Sequence, residues 1–192
     1  MKPEEISPDA PVEACPWWIC FTSQNPLRRL LHNPEKMLSS YVKKGRAVMD
    51  VGPGMGYFTI PLARLVGDEG KVIAVDIEQH MLDGVRNAAR RASVEKRVEL
   101  HLSQPGNIGV LGPLDFTLAF WMVHEVRDRA KFVSQITSAT RPGGLLYFVE
   151  PKIHVTRENF DDTVAKAKAT GFEVVEHPKV AISYAALLRK KD

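Results

Sequence analysis

Asp50-Val51-Gly52-Pro53-Gly54-Met55-Gly56 and Asp76 are the residues whose types and spacing first point to chemistry. Each acid follows an apolar run, Ala47-Val48-Met49 before the first and Val72-Ile73-Ala74-Val75 before the second. Glycines packed this densely let a backbone turn approach a ligand closely, because no Cβ stands in the way. Asp76 ends the next apolar run, about twenty residues past Gly56, the order that a βαβ unit needs to hold a nucleoside-containing ligand. The pattern suits a nucleoside-bearing ligand held at a strand–turn–helix corner. A second group, His124-Glu125, follows the apolar run Leu114–Phe120. Histidine exchanges a proton near neutral pH, so His124 is a candidate base with Glu125 as its neighbour or orienter. Glu150, before Pro151, and His154 are further groups able to face the same cleft.

The elements that must position these residues alternate along the chain. Asn33-Pro34-Glu35 is a helix start, and that helix is expected to run to Lys44 and stop at Gly45. Ala47–Val51 reads as a strand, Tyr57–Val66 as a helix, Val72–Asp76 as a strand. Glu78–Ser93 reads as a helix with Met81, Leu82, Val85, Ala88, Ala89 and Ala92 on one face. Val98–Leu102 is a strand, 103–113 a loop or short helix, and Leu114–Phe120 a strand. Asp128 caps a helix that Arg141-Pro142-Gly143-Gly144 is expected to end. Leu145–Glu150 is a strand, Thr156 caps a helix ending at Gly171, and Glu173–His177 and Ala181–Arg189 are the last strands. Strands alternating with helices imply an α/β, Rossmann-like, doubly wound sheet of seven strands. The last two strands lack a helix between them, so the sheet is expected to be mostly parallel with an antiparallel final strand.

The chain has 192 residues and a formal net charge of +3, with 26 basic residues dispersed along it, which is too weak a bias to imply nucleic acid. The two cysteines, Cys15 and Cys20, imply no disulfide framework. The N-terminus lacks a basic start and apolar core of a signal peptide, and no apolar run is long enough to cross a bilayer. A cytoplasmic protein is expected. Residues 1–33 read as an N-terminal extension, with the aromatic run Cys15-Pro16-Trp17-Trp18-Ile19-Cys20-Phe21 as a possible lid, and 34–192 as the single folded domain.

The glycine spacing narrows the ligand. Dinucleotide folds use G-x-G-x-x-G, where a helix N-terminus meets a pyrophosphate. Here the spacing is G-x-G-x-G, and Tyr57 stands at the third dinucleotide position. A nicotinamide oxidoreductase is therefore disfavoured, and a cofactor without a pyrophosphate fits better. In these motifs the chain resembles the class I S-adenosylmethionine-dependent methyltransferases over about residues 34–188. Asp50–Gly56 is similar to that family's first motif, Asp76 to its second, and Arg141-Pro142-Gly143-Gly144-Leu145-Leu146 to the turn before its fifth strand.

The resemblance implies S-adenosylmethionine as cofactor, with S-adenosylhomocysteine as product. It implies that Asp50 and the backbone of Gly52, Pro53, Gly54 and Gly56 hold the methionine end, with Tyr57 beside them. Asp76 would take the ribose hydroxyls, Ile77 and Met81 would cover the nucleoside, and Phe120 would lie beside the cofactor. Where the family often carries Gly-Asp-Ala after the third strand, this chain has Ser103-Gln104-Pro105, so Gln104 would meet the adenine through its amide.

After the fourth strand the chain has Phe120-Trp121-Met122 in place of the Asn/Asp-Pro-Pro-aromatic run of amino-methylating members, which disfavours nucleic acid as acceptor. A small-molecule acceptor is expected, with His124 and Glu125 as the catalytic candidates and no metal. Arsenite capture by Cys15 and Cys20 is a further reading of those thiols, set against ordinary apolar packing. The alternative for the whole chain is a module that binds S-adenosylmethionine or S-adenosylhomocysteine without catalysis. The acceptor atom and the oligomeric state are left open.

Overall fold

The computed structural model describes residues 31–192; Cys15, Cys20 and the aromatic run between them lie outside the described residues. Asn33 caps the first helix through Oδ1, which accepts the Lys36 amide at 3.0 Å, and Pro34 opens it. This helix, α1, covers only Pro34–Leu38 and does not reach Lys44 as the sequence predicted. Ser39-Ser40 follows, and serine competes for its own backbone hydrogen bonds. Tyr41 then bonds back to Leu38 in a tighter i to i−3 turn, and its hydroxyl leaves to donate to Glu176 at 2.7 Å.

The remaining elements are β1 Ala47–Val51, α2 Thr59–Val66, β2 Lys71–Asp76, α3 Gln79–Arg91, β3 Val98–Leu102, β4 Leu114–Phe120, α4 Arg129–Ala139, β5 Thr140–Pro151, α5 Arg157–Ala169, β6 Phe172–Glu176 and β7 Ser183–Lys190. Boundaries differ from the sequence reading by a residue or two, except at β5. There Arg141-Pro142-Gly143-Gly144 belongs to the strand rather than to the helix end. Thr140 pairs with Leu114, the register then slips, and pairing resumes at Phe116 with Leu145. Gly143 at φ +71° makes the irregularity possible, and a Cβ at Gly144 would lie 2.6 Å from Thr140 Cγ2.

The strands form one seven-stranded sheet in the order β3-β2-β1-β4-β5-β7-β6. Strands β1 to β5 are mutually parallel, and β7 runs antiparallel to both β5 and β6. The alternation of side chains along each strand divides the core between two faces. Val48, Phe116, Leu118 and Tyr147 pack with Leu38 and Leu62 from α1 and α2. Met49, Val51, Ala119 and Phe148 pack with Phe132, Ile136 and Phe160 from α4 and α5. Both faces are thus covered, as a doubly wound parallel sheet requires. Strand order reverses between β1 and β4, and in such sheets ligands bind beyond the carboxyl ends of the strands at that point. Among the described residues no helix is long and apolar enough to cross a membrane.

Candidate active site

A cavity of about 1060 Å³ opens at that switch point. One wall is the turn between β1 and α2. Gly52 (φ +67°), Gly54 (φ +54°) and Gly56 (φ +94°) all hold backbone conformations that side chains resist. They do different work. A Cβ at Gly54 would enter open space, so the turn there presents bare backbone to the cavity. A Cβ at Gly52 would fall 2.9 Å from Cβ and Cγ of Met122, so Gly52 lets the chain after β4 close against the turn. Gly56 does not line the cavity; it faces α3, where an added Cβ would sit 3.6 Å from Val85 Cα and Ala88 Cβ. Of the three glycines that the sequence analysis assigned to the cofactor turn, Gly56 is the one outside the cavity lining. Its smallness and positive φ serve the turn and its packing on α3. Pro53 and Tyr57 do line the cavity, and the Tyr57 hydroxyl donates to the His32 carbonyl at 2.7 Å.

Two carboxyl groups occupy this wall. Asp50 is buried and accepts from the Thr59 hydroxyl at 2.7 Å, at the first turn of α2. Burial dominates over that bond and, with the nearby Asp76 charge, pushes its pKa up to about 7. Asp76 ends β2 and accepts from the Glu78 amide at 3.0 Å, while burial pushes it up to about 6. Desolvated carboxyls of this kind favour a cationic ligand. The position of Asp50 also bears on the cofactor class. A dinucleotide places its diphosphate at the N-terminus of the corresponding helix, but here a carboxylate already sits there. Ile77, 39% exposed, and the buried Met81 line the cavity next to Asp76 and offer an apolar floor for a base. Gln104 lines it too, its backbone paired with Asn107. Phe120 reaches the cavity while its ring packs at 4.4 Å on Phe58.

The residues present therefore fit a nucleoside joined to a cationic tail. Bare backbone at Gly54, the carboxyls of Asp50 and Asp76, and the apolar surface of Ile77 and Met81 are the groups that would hold it.

The opposite wall comes from the chain after β4 and β5. Trp121 takes φ +58°, uncommon for a bulky residue. Its amide donates to the Val149 carbonyl at 2.8 Å and its Nε1 to Ser183 Oγ at 2.9 Å. Its ring packs against His32, which is itself buried and bonded to the Ala181 carbonyl, so the described fold begins ahead of Pro34. The turn at Trp121 leads into Met122, Val123 and His124.

Here the sequence reading of Glu125 as the orienter of His124 is corrected. His124 Nδ1 lies 2.7 Å from Glu150 Oε2, whereas Glu125 Oε1 is 3.9 Å from Nε2. Glu150 also accepts the amides of Val123 at 3.0 Å and His124 at 3.1 Å. Its side chain is only 2% exposed. Sequence reasoning named Glu150 as a group facing the cleft, but not as the partner of His124. The available signal was its place as the only acid on an otherwise apolar strand end. Burial alone would lower the His124 pKa, but the hydrogen bond and charge of Glu150, together with Glu125, outweigh it and raise the pKa. Burial and the Glu150 charge raise Glu125 in turn. The His154 ring stacks on His124 at 5.6 Å. No group of three or more metal-type ligands occurs among the described residues.

Comparison with known proteins agrees with this geometry. The family described as "Methyltransferase domain" matches residues 42–191. The ubiquinone/menaquinone biosynthesis C-methyltransferase of Marinomonas sp. is 30% identical over 129 residues, 64% of this chain and 50% of that protein. The protein of the same name in Escherichia coli is 32% identical over 117 residues, 58% of this chain and 45% of that one. The chain thus spans about half the length of these curated relatives. Among solved structures, a SAM-dependent methyltransferase of Aquifex aeolicus superposes with a TM-score of 0.83 at 23% identity, covering 92% of this chain and all of that one. With most of its length matched by that family and its cleft shaped as described, the chain belongs to the class I S-adenosylmethionine-dependent methyltransferases.

Proposed function

We propose that this protein transfers a methyl group to a small-molecule acceptor seated between Trp121, His124 and His154, and that it does so in the cytoplasm. One observation carries the reading: a single cavity is lined at one end by Gly54 and Asp76 and at the other by His124 and His154. Its volume of about 1060 Å³ lies at the upper end of small-ligand clefts, which span roughly 300–1,000 Å³. When bound, S-adenosylmethionine supplies an electrophilic methyl group on a sulfonium centre. Asp76 and the Gly54 backbone would hold the donor, Trp121 and Met122 would line the cavity between donor and acceptor, and His124 would take the acceptor proton. The names of the bacterial relatives, C-methyltransferases of quinone biosynthesis, support methylation of a small molecule.

A second reading is a module that binds the cofactor without transfer. Gln104, uncharged where relatives often carry an acid, favours it; the acid–base pair at the far wall argues against it, since a storage site has no use for a base. Incubation with methyl-tritiated S-adenosylmethionine and a small-metabolite extract decides between them. Label in a small product is expected. Tight S-adenosylhomocysteine binding with no labelled product would leave the binding module.

A further inference from the structure

We propose that Glu150 is the positioning residue of a proton-abstracting pair, Glu150–His124, and that the acceptor is a weakly acidic hydroxyl compound, a phenol or an enol. This rests on the methyl-transfer reading above and names the chemistry of its acceptor.

The argument starts with what each atom can do. Glu150 offers two carboxylate oxygens. Oε1 accepts from the Val123 amide and Oε2 from the His124 amide, so both ends of the carboxylate are fixed by the loop that carries the histidine. Both oxygens are thus engaged as acceptors. His124 Nδ1, 2.7 Å from Oε2, therefore carries a proton and donates it. In the neutral imidazole the second nitrogen, Nε2, is then left as a bare acceptor. Glu150 does not line the cavity, whereas His124 does and is 21% exposed. The ring thus bridges a buried carboxylate to the cleft, with Nε2 on the edge away from Glu150 and 3.9 Å from Glu125 Oε1. Groups facing the ring from other elements are His154 from the loop after β5, Glu125 on the same loop, and Arg129 at the start of α4. The two acids favour proton uptake, and Arg129 opposes it.

Such a base has a use only where the acceptor holds a proton that it must lose. A phenol or an enol is such an acceptor: it is mostly protonated at neutral pH and becomes a strong nucleophile on losing that proton. The acceptor's O–H proton passes to His124 Nε2, giving an imidazolium stabilised by Glu150. The freed electron pair, on oxygen or on the conjugated carbon, forms the new bond to the methyl group. The old sulfur–methyl bond breaks with its electron pair kept by sulfur. When carbon is the site, the His124 imidazolium returns its proton to the oxygen and Nε2 then takes the proton of the methylated carbon, which restores the enol or aromatic ring. Charge balances: one cationic sulfonium is consumed and one proton is held by His124.

Imidazole nitrogen NMR on the full chain with S-adenosylhomocysteine bound tests the pair without turnover. The neutral His124 is expected as the Nδ1–H tautomer, titrating above a free imidazole. In Glu150→Gln the midpoint is expected to fall and the Nε2–H tautomer to appear, with S-adenosylhomocysteine binding retained as the sign that the fold is intact. An unchanged tautomer and midpoint in the folded variant would overturn the positioning role. Glu150→Gln replaces one acceptor of a backbone amide with a donor and can disturb the loop, so His124→Gln serves as the second variant. It is expected to lower label transfer about 100-fold with cofactor affinity held within about twofold.

The labelled product of the extract experiment decides the class. A methyl on oxygen or on carbon conjugated to a hydroxyl supports the proposal in either case; a methyl on nitrogen or sulfur overturns it. An intact Glu150–His124 tautomer signature with no labelled product at all sinks the methyl-transfer reading instead.

Discussion

The two walls of the cavity are built by different means. The wall formed by the β1–α2 turn and the tip of β2 is local: Asp50, its hydrogen-bond partner Thr59 and the intervening glycines lie within one strand–turn–helix unit. The wall formed after β4 and β5 is assembled from distant parts. His124 meets Glu150 across 26 residues, Trp121 meets Ser183 across 62, and His32 meets Ala181 across 149. The local wall carries the groups suited to the invariable ligand. The long-range wall carries the groups that would meet the acceptor. A cofactor site can thus be specified by one short motif, while the acceptor site depends on which strand ends the topology brings together.

Four measurements would break or sharpen that comparison. The largest effect is expected for Asp76→Ala, which would remove the two charge-assisted contacts proposed to the ribose, worth together about 3 kcal/mol. Calorimetry should show S-adenosylhomocysteine binding weakened about 100-fold, while melting temperature holds or rises because a desolvated carboxyl is gone. Binding that survives the change would remove Asp76 from the local wall's work.

Gly52→Ala strikes where the walls touch. The new methyl meets Met122 at 2.9 Å in a backbone at φ +67°. A loss of about 2 kcal/mol in stability is expected, read by denaturant unfolding, with weaker cofactor binding alongside it. If stability is unchanged, Met122 does not depend on the glycine.

The third measurement is pH. Asp50 and Asp76 have folded pKa values raised to about 7 and about 6. An acid raised in this way holds its proton in the fold after the unfolded chain has released it. The ligand-free protein therefore loses stability as pH rises from about 4 through that window. A cationic ligand prefers the ionised carboxyls and reverses the trend. Affinity for S-adenosylmethionine, which carries the sulfonium charge, is expected to fall at least tenfold between about pH 8 and about pH 5.5. A flat profile would separate both carboxyls from the ligand.

The smallest effect belongs to the far wall. Ser183→Ala deletes the acceptor for Trp121 Nε1 and should cost about 1 kcal/mol. It should alter label transfer more than cofactor affinity. Equal loss of both would show that the two walls are one mechanical unit.

The fold was largely legible because its signals are local. Apolar runs, capping residues such as Asn33 and Asp128, and the missing helix before β7 each act within a few residues, and all appear in the structure. The failures share a cause as well. The helix from Pro34 stops early because Tyr41 is drawn to Glu176, 135 residues away. Arg141–Gly144 joins β5 because Leu114 offers Thr140 a partner. The packing of Gly56 against α3 is likewise invisible in its spacing from Gly52 and Gly54.

The sequence by itself determined a glycine-lined turn, an acid at the next strand tip and the order of the elements, since φ preference and side-chain period are properties of neighbouring residues. Only the tertiary structure decided that Glu150, not the adjacent Glu125, orients His124. Neighbours on a short turn point their side chains apart, and a buried carboxylate finds its donor through strand pairing rather than through proximity in the chain.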